Sequence, residues 1–316
     1  MKSKLENNIT NIIIGHTGYI GRTLLEEINK RDEEIIGISR NKINLEAEIK
    51  NKNFLEINTD IFNNLISQNL NIKSKPIIYI CAHNVKTNFA YKRKSLEFVY
   101  NKNLNQYMNF IENIKILEPK KIIFLSSSGS LYDNSRISDP SDEKSILNPI
   151  SEYGLSKFIL ENFLNNFSIN YQIPLVICRV STIYGNSFSK KKFGLLNYLI
   201  QCAFNKTTPI LYGQDTYRDY LNIKDLIRIL LEIGNRDLSS NLYNISYGES
   251  YSCLNIFNKV KNYLRKYNLQ INQFDDKGIR LGENKNIFIS SDKIKNETNW
   301  EPLININEGI KSLIIK

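Results

Sequence analysis

Histidine and cysteine are scarce in this 316-residue chain. Its two histidines, His16 and His83, argue against a catalytic zinc centre and against a serine–histidine hydrolase triad, so we expect no metal. The four cysteines are widely separated and form no Cys-x-x-Cys pair. Such cysteines are typical of free thiols in a reducing compartment, so we expect a cytoplasmic protein.

Two further features are missing: a membrane-spanning segment and an excess of acidic residues. No apolar run reaches the length of a membrane span or of a signal-peptide core, so we expect no membrane insertion. Acidic residues number 32 against 42 Lys and Arg, a net charge of +10. This excess fits small anionic ligands, and nucleic acid equally. The lysines are dispersed and the basic runs short, so we expect no nucleic-acid partner.

Glycines cluster near the amino terminus in Gly-His-Thr-Gly-Tyr-Ile-Gly, residues 15–21. An apolar run at 11–14 precedes this cluster, and residues 22–30 place apolar side chains on one helical stripe. The pattern predicts a strand, a tight turn and a helix, in which glycines let the backbone approach a pyrophosphate at the helix amino terminus. The spacing is not Gly-x-Gly-x-x-Gly, and such a turn also occurs without a ligand.

A tyrosine and a lysine, Tyr153 and Lys157, stand four residues apart, so both side chains project from one face of a helix. A Ser-Ser-Ser-Gly run lies upstream at 126–129. Because an ammonium stabilises a neighbouring phenolate, we expect a lowered pKa for Tyr153 that suits proton transfer at neutral pH. The pair alone is a weak signal, since many surface helices contain one.

Together the glycine loop and the Tyr153–Lys157 pair resemble the extended short-chain dehydrogenase/reductase family, in particular its nucleotide-sugar epimerases and reductases. Ser128 precedes Tyr153 by 25 positions, close to the separation of the family's serine and tyrosine. Asp133 replaces the glycine that usually follows the nearby tyrosine. The resemblance runs over nearly the whole chain.

Further segments support the resemblance. Arg-Val-Ser-Thr-Ile-Tyr-Gly at 179–185 is similar to the family's arginine-led segment that ends in Tyr-Gly, and Arg-Asp-Tyr at 218–220 to its Arg-Asp-aromatic segment. Trp-Glu-Pro at 300–302 and Glu-Gly at 308–309 are similar to its carboxyl-terminal pattern, although Asn299 replaces a glycine. Five ordered matches at suitable distances make a chance resemblance improbable.

Alternating strand and helix signals predict an α/β fold with a parallel sheet covered on both faces. The resemblance implies that this is a Rossmann-type doubly wound sheet with a smaller carboxyl-terminal substrate-binding lobe. We expect the NAD(P)-binding Rossmann domain at 8–185, with 215–245 returning to it. The lobe is predicted at 186–214 and 246–316. The interval 129–150 is predicted to be a loop over the active site.

The resemblance implies three catalytic residues. Tyr153 is the acid/base that moves a proton on a sugar hydroxyl or carbonyl while the nicotinamide moves a hydride. Lys157 contacts the nicotinamide ribose and lowers the pKa of the tyrosine. Ser128 orients the same sugar oxygen. Ser127 and Ser126 are alternatives, because three consecutive serines can be aligned with the family's serine in more than one way.

The resemblance also implies a cofactor site along the glycine loop and the following strand ends. Within it, residues 60–61 resemble an adenine-contacting pair and residues 81–83 lie where the fourth strand passes under the cofactor. His83 is interpreted as a packed or solvent-facing residue, and His16 receives no role. The predicted cofactor residues are Gly15, Thr17, Gly18, Tyr19, Ile20, Gly21, Ser39, Arg40, Asp60, Ile61, Cys81, Ala82, His83, Tyr153 and Lys157.

Cofactor choice depends on Ser39 and Arg40, roughly 20 residues past the last glycine. A carboxylate at this strand end holds the ribose hydroxyls of NAD, whereas an arginine accepts the 2′-phosphate of NADP. NADP is therefore favoured, with NAD as the alternative. Alternatively, Arg40 is an exposed loop residue that has no role in cofactor binding.

The implied substrate is a nucleotide-diphosphate sugar. Arg218 would pair with the diphosphate, with Arg280 as a weaker candidate. Thr182 stands where many members carry an asparagine. The predicted substrate-binding residues are Ser127, Ser128, Thr182, Arg218 and Arg280.

The Arg40 interpretation favours reduction of a C4 keto group with NADPH. The alternative is a nucleotide-sugar 4-epimerase with tightly bound NAD, and a distant one is a non-catalytic cofactor-sensing relative. Gly129 and Ser130 stand where a 4,6-dehydratase has Asp-Glu, which disfavours that reaction. The resemblance further suggests surface-polysaccharide synthesis and allows a homodimer through helices near 95–114 and 153–166.

Overall fold

The structure is a computed structural model that describes residues 9–31, 33–40, 45, 49, 53–59, 72, 74–83, 104–133, 139–186, 194–280 and 282–315. The strands are β1 Thr10–Ile14, β2 Glu34–Ser39, β3 Phe54–Asn58, β4 Ile77–Ile80, β5 Lys121–Ser127, β6 Leu175–Val180, β7 Thr182–Tyr184, β8 Ile210–Leu211, β9 Tyr217–Asn222, β10 Leu242–Ile245, β11 Ser250–Ser252 and β12 Asp275–Asp276. The helices are α1 Tyr19–Ile28, α2 Asn105–Ile114, α3 Ser128–Leu131, α4 Glu152–Tyr171, α5 Leu195–Asn205, α6 Ile223–Asn235, α7 Cys253–Lys266, α8 Asp292–Thr298 and α9 Ile306–Ile314.

Seven strands form one sheet in the order β10-β6-β5-β4-β1-β2-β3, with every neighbouring pair parallel. The chain proceeds from β1 outward through β2 and β3, and then returns to the other side of β1 with β4. The strand order therefore reverses between β1 and β4, where ligands bind in open α/β sheets. The predicted doubly wound parallel sheet is confirmed.

The central strands are apolar because both faces of the sheet are covered. Every residue of β1 and of β6 is buried, as expected for parallel strands between two helical layers. One face packs against α1 and α6, and the other packs against α2 and α4. Within the described residues, no helix is long and apolar enough to cross a membrane.

A smaller lobe packs α5, α7 and α9 around a separate apolar core. The three-stranded sheet β11-β9-β7 contributes Tyr184 and Tyr220 to this core. Within the segment 215–245, α6 and β10 join the main sheet and its core, whereas β9 pairs in the small sheet. Ile294 and Trp300, from the segment predicted for the lobe, pack in the core of the main sheet. The two-domain division remains a prediction.

Candidate active site

The amino-terminal turn of α4 positions Tyr153 and Lys157 at the carboxyl end of β5. The Oγ of Ser151 caps this helix by accepting the Gly154 N–H at 3.0 Å. A Cβ on Gly154 would lie 2.2 Å from the Ser130 carbonyl oxygen. The missing side chain therefore lets the start of α4 pack directly against α3, beside the serine run.

Lys157 is buried, and it is anchored to the sheet rather than to the phenol. Its Nζ donates to the Leu125 carbonyl at 2.6 Å and lies 5.8 Å from the centroid of the Tyr153 ring. Burial lowers the pKa of Lys157 to about 7, against the opposing effect of the Glu161 carboxylate. The amine is therefore close to its titration midpoint at neutral pH.

The Tyr153 phenol is protonated at neutral pH. Burial raises the pKa of Tyr153 to about 12, although a hydrogen bond with the Ser127 side chain acts in the opposite direction. The expectation that Lys157 lowers this pKa is wrong for this structure. Desolvation dominates, and the Lys157 Nζ is directed to a backbone carbonyl.

The three serines separate into different environments at the end of β5. Ser127 is half-buried and its hydroxyl reaches the Tyr153 phenol. Ser128 is the first residue of α3, is fully buried, and its Oγ has no hydrogen-bond partner among the described residues. The same holds for the Oγ of Ser126. Buried hydroxyls ordinarily have a partner, so these atoms fit the oxygen atoms of a ligand.

His83 forms one wall of the site. Its ring stands edge-to-face with Tyr153, with 5.2 Å between the ring centroids. Ser156 donates its hydroxyl proton to the Tyr153 carbonyl at 2.7 Å, so it accepts from the His83 Nε2–H at 2.8 Å. Burial keeps the pKa of His83 well below its usual value, and the ring is neutral. The packed interpretation of His83 therefore fits the structure, but its contact with Tyr153 has no signal in the sequence because the two residues are 70 positions apart.

The glycine loop is a close-packed turn beside the end of β4. Gly15 has a φ of +91°, and a Cβ there would lie 2.8 Å from the Cβ of Ala82. A Cβ on Gly21 would lie 2.2 Å from the Gly15 carbonyl oxygen. Gly18 caps α1 without a side-chain hydrogen bond, and the first turn has no acidic residue. The N-cap residue therefore supplies no side-chain acceptor at this end of α1, and a helix amino terminus of this kind suits an anion.

The other predicted cofactor residues differ in their surroundings. The Tyr19 hydroxyl donates to the Gly185 carbonyl at 2.5 Å, and Ile20 packs on the main core, so both hold the loop in place. Ser39 is buried and Arg40 is exposed at the end of β2. Thr17, Cys81 and Ala82 are half-buried along the same edge of the sheet. Asp60 and Ile61 lie outside the described residues.

The two candidate phosphate-binding arginines lie on neighbouring segments of the smaller lobe. Arg218 on β9 donates to the Glu283 carboxylate at 2.6 Å and to the Tyr217 carbonyl at 2.8 Å. The Arg280 guanidinium lies 3.5 Å from the centroid of the Tyr212 ring. Arg218 is therefore paired with a carboxylate, whereas Arg280 stacks on an aromatic ring.

One side-chain contact joins this arginine region to the serine run. The Asn284 side-chain amide donates to the Gly129 carbonyl at 2.9 Å, and a Cβ on Gly129 would lie 2.6 Å from Ile287. Thr182, also predicted to bind substrate, is the half-buried first residue of β7, which pairs with β9. The structure thus brings the predicted catalytic and phosphate-binding groups to one end of the sheet.

A parallel sheet with an uncapped glycine turn at its switch point, and a tyrosine–lysine pair beside it, defines a dinucleotide-dependent enzyme of the Rossmann class. The chain matches the NAD dependent epimerase/dehydratase family over residues 11–246 and belongs to it.

Several proteins are similar to the chain over almost its full length. A putative UDP-glucose 4-epimerase of Methanocaldococcus jannaschii is 26% identical, with 96% of each chain covered. A dTDP-4-dehydro-6-deoxyglucose reductase of Escherichia coli is 24% identical, again with 96% of each covered. The crystal structure of a Bacillus cereus UDP-glucuronic acid 4-epimerase, in complex with UDP-glucuronic acid and NAD, superposes with a TM-score of 0.80 at 20% identity, covering 97% of this chain and 98% of that one.

Proposed function

We propose that this protein is an NAD-dependent nucleotide-sugar 4-epimerase. The observation that carries the proposal is the buried, protonated Tyr153 phenol, which contacts Ser127 at the carboxyl end of β5, beside the switch point of the sheet. The epimerases among the similar proteins support the choice of reaction.

The residues of the site fit a dinucleotide. The glycine turn leaves no space for a Cβ at Gly15 or Gly21, and the α1 amino terminus has no side-chain cap. Gly15, Gly18 and Gly21 would hold the pyrophosphate, Ser39 and Arg40 the adenosine ribose, and Lys157 the nicotinamide ribose. When bound, the nicotinamide ring supplies hydride acceptance and donation.

The protein's own groups would handle the proton. With a pKa of about 12, Tyr153 holds its proton at neutral pH and can donate it to the oxygen of a keto sugar. To remove a proton from the sugar C4 hydroxyl, the same phenol must first ionise. The Ser127 hydroxyl favours that state by donating to the phenolate. Ser128 and Ser126 have buried hydroxyls that can orient the sugar oxygens.

Charge supports a nucleotide-diphosphate sugar as the substrate. Arg218 is held in place by Glu283, and Arg280 stacks on Tyr212. We infer that a diphosphate binds between the two guanidinium groups, which favour phosphate oxygens through paired N–H donors. An NADPH-dependent reductase acting at C4 is the second candidate, favoured by Arg40 and by the similarity to the dTDP-4-dehydro-6-deoxyglucose reductase of Escherichia coli.

The test is to identify the bound cofactor in the purified protein and to follow UDP-sugars by NMR. The 4-epimerase is expected to retain NAD and to interconvert C4 epimers without net consumption of cofactor. Stoichiometric oxidation of added NADPH with a keto sugar would instead establish the reductase.

Arg40→Ala separates the same two candidates. If Arg40 binds a 2′-phosphate, its loss should reduce the preference for NADP over NAD by about one to two decades, because a charge-assisted hydrogen bond contributes about 1.5–3 kcal/mol. Titration of both cofactors against the wild-type protein and the variant measures the shift. Tightly bound NAD with no difference between the two proteins supports the epimerase.

We also propose that the protein is a cytoplasmic homodimer that serves surface-polysaccharide synthesis. The dimer would use the helical layer of α2 and α4, where Ile116, Ile169 and Tyr171 are exposed nearby. Light scattering on wild-type protein and on an Ile169→Glu variant tests this contact, since a buried glutamate at the interface should give monomers.

A further inference from the structure

His16, inside the glycine loop, and Glu56, on β3, form a buried polar contact that the proposed reaction does not use. The His16 Nε2 lies 3.1 Å from the Glu56 Oε1, and the side chains are 0% and 1% exposed. The imidazole crosses beneath β2, where a Cβ on Gly37 would lie 2.8 Å from the His16 Cγ. The absence of a side chain at Gly37 therefore allows the loop to reach β3.

The same carboxylate also holds the chain that follows β2. The second oxygen of Glu56 accepts the backbone N–H of Leu45 at 2.8 Å. Leu45 is buried five residues beyond Arg40, which lies at the proposed ribose site. One carboxylate thus connects the pyrophosphate loop to the segment that borders the end of β2.

The chemistry of the pair defines the direction of each hydrogen bond. Burial lowers the pKa of His16, against the opposing effects of Glu56 and of a hydrogen bond with the Ile38 backbone, and the nearby Arg22 guanidinium adds to the lowering. The neutral ring has one N–H, and a carboxylate can only accept, so the His16 Nε2–H donates. An ionised carboxylate at 1% exposure needs its donors, because an unpaired buried charge is costly.

We propose that His16 and Glu56 are positioning residues for the adenosine half of the dinucleotide. The inference rests on the cofactor use proposed above. Hydrogen bonding through Glu56 fixes the distance between the loop that meets the pyrophosphate and the strand end that meets the adenosine ribose. The nicotinamide half lies near Tyr153 and Lys157 on α4, beyond β1 and β4, and does not depend on this contact.

The experiment measures dissociation constants of ADP-ribose and NAD by calorimetry on the nucleotide-free protein, together with kcat at saturating NAD. His16→Ala is expected to weaken both ligands by a similar factor of about ten, which corresponds to about 1.4 kcal/mol. His16→Gln retains an N–H donor and should restore most of the affinity. Because neither residue reaches the reacting atoms, kcat at saturation should stay within about twofold.

Glu56→Gln is a second variant of nearly unchanged size. His16 and Leu45 donate to different oxygens of Glu56, and the amide replaces one of these oxygens with an NH2 donor, so one of the two N–H groups loses its acceptor. It should therefore weaken ADP-ribose binding even if His16→Ala fails to fold.

Lys121→Met is the matched control, because it removes a different buried contact. Lys121 Nζ donates to the carbonyls of Ile233 and Arg236 at the amino end of β5, away from the cofactor edge. The control should lose stability but keep its affinity for ADP-ribose. If His16→Ala and Glu56→Gln bind ADP-ribose as tightly as this control, the positioning role is refuted while the proposed function stands. If wild-type protein binds no ADP-ribose, the proposed cofactor use fails as well.

Discussion

A single side chain, Tyr153, holds the proton that the proposed reaction moves. Its pKa of about 12 comes from burial, and Ser127 is the group that favours its ionised form. The sequence predicts that Lys157 stabilises the ionised phenol, yet the Lys157 Nζ donates to the Leu125 carbonyl. In this structure the lysine supports the strand end, and the serine contacts the phenol.

Tyr153→Phe should lower turnover by about two to four orders of magnitude, because it removes proton transfer with little change in packing. Steady-state kinetics with the preferred UDP-sugar measures the loss, and calorimetry with NAD checks that the cofactor site is intact. Tyr171→Phe, a change of the same kind on the exposed end of α4, is the control. Activity near the wild-type level in the Tyr153 variant would rule out the proposed acid/base.

Ser127→Ala and Ser128→Ala should differ in the parameter that they affect. Loss of Ser127 removes the hydrogen bond to Tyr153, so kcat should fall by about tenfold or more and the alkaline pKa in the pH profile should rise. Loss of Ser128 removes a hydroxyl that does not contact the phenol, and its main effect should be on KM. Equal pH profiles for the Ser127 variant and the wild type would contradict the assignment.

Much of the candidate site can be proposed from the sequence alone. Tyr153, Lys157 and the glycine loop were recognisable because their spacing follows the helical repeat and the strand–turn–helix unit. The sequence could not decide which of Ser126, Ser127 and Ser128 contacts the tyrosine, because this depends on where β5 ends and α3 begins. Nor could the sequence show that burial dominates the pKa of Tyr153, since burial arises from distant chain segments.

At the level of elements, several motifs of the family prove to be packing contacts. The Tyr184 ring lies against α9 at Gly309, where a Cβ would come within 2.0 Å of its hydroxyl. The Asp225 carboxylate accepts the backbone N–H groups of Leu303 and Ile304, just after the buried Trp300. The carboxyl-terminal motif therefore fastens α9 to the rest of the molecule.

Gly309→Ala should destabilise the protein even though alanine favours a helix by about 1 kcal/mol over glycine. Tyr184 is fully buried and donates to the Asn305 carbonyl at 3.3 Å, so it cannot move away at little cost. Overpacking of this kind costs about 1–3 kcal/mol. Urea unfolding compares the variant with Lys311→Ala, an exposed site on the same helix. A variant as stable as wild type would show that the ring moves freely.

The alternation of apolar strands and amphipathic helices was sufficient to predict the main sheet. The assignment of β9 was not predictable in the same way. Its sequence, Tyr-Arg-Asp-Tyr-Leu-Asn, mixes polar and apolar residues, and its partners β7 and β11 are short. Which sheet such a strand joins is decided by pairing between distant segments, for which a single sequence has no local signal.

On the scale of the whole molecule, several charged side chains are buried close together at the carboxyl edge of the main sheet. Glu161 on α4 forms an ion pair with Arg179 of β6 at 2.7 Å, and both side chains are 5% exposed. The same carboxylate favours the ammonium form of Lys157. Lys157 therefore titrates beside an ion pair that also holds α4 against the sheet, so its protonation should be measurable in the stability of the entire protein.

Lys157 should make the free energy of unfolding rise with pH between about 7 and 10. Its pKa is about 7 in the folded protein and about 10.4 in an unfolded chain. Within this window the unfolded chain binds a proton that the folded protein has released, so stability increases with pH. Below pH 7 both states are protonated, and the full cost of burying the ammonium is present.

Lys157→Met removes this titration and keeps most of the side-chain volume, although the Leu125 carbonyl loses its donor at every pH. The free energy of unfolding of the variant relative to wild type should therefore be most favourable near pH 6 and decline toward pH 10. Urea unfolding of the nucleotide-free proteins at pH 6, 8 and 10 measures this, with the exposed Lys311→Met as the control. Tyr153, whose pKa is raised by burial, titrates above the window. Parallel curves for the Lys157 variant and wild type would mean that the buried amine keeps its proton throughout, held by Glu161 and the Leu125 carbonyl.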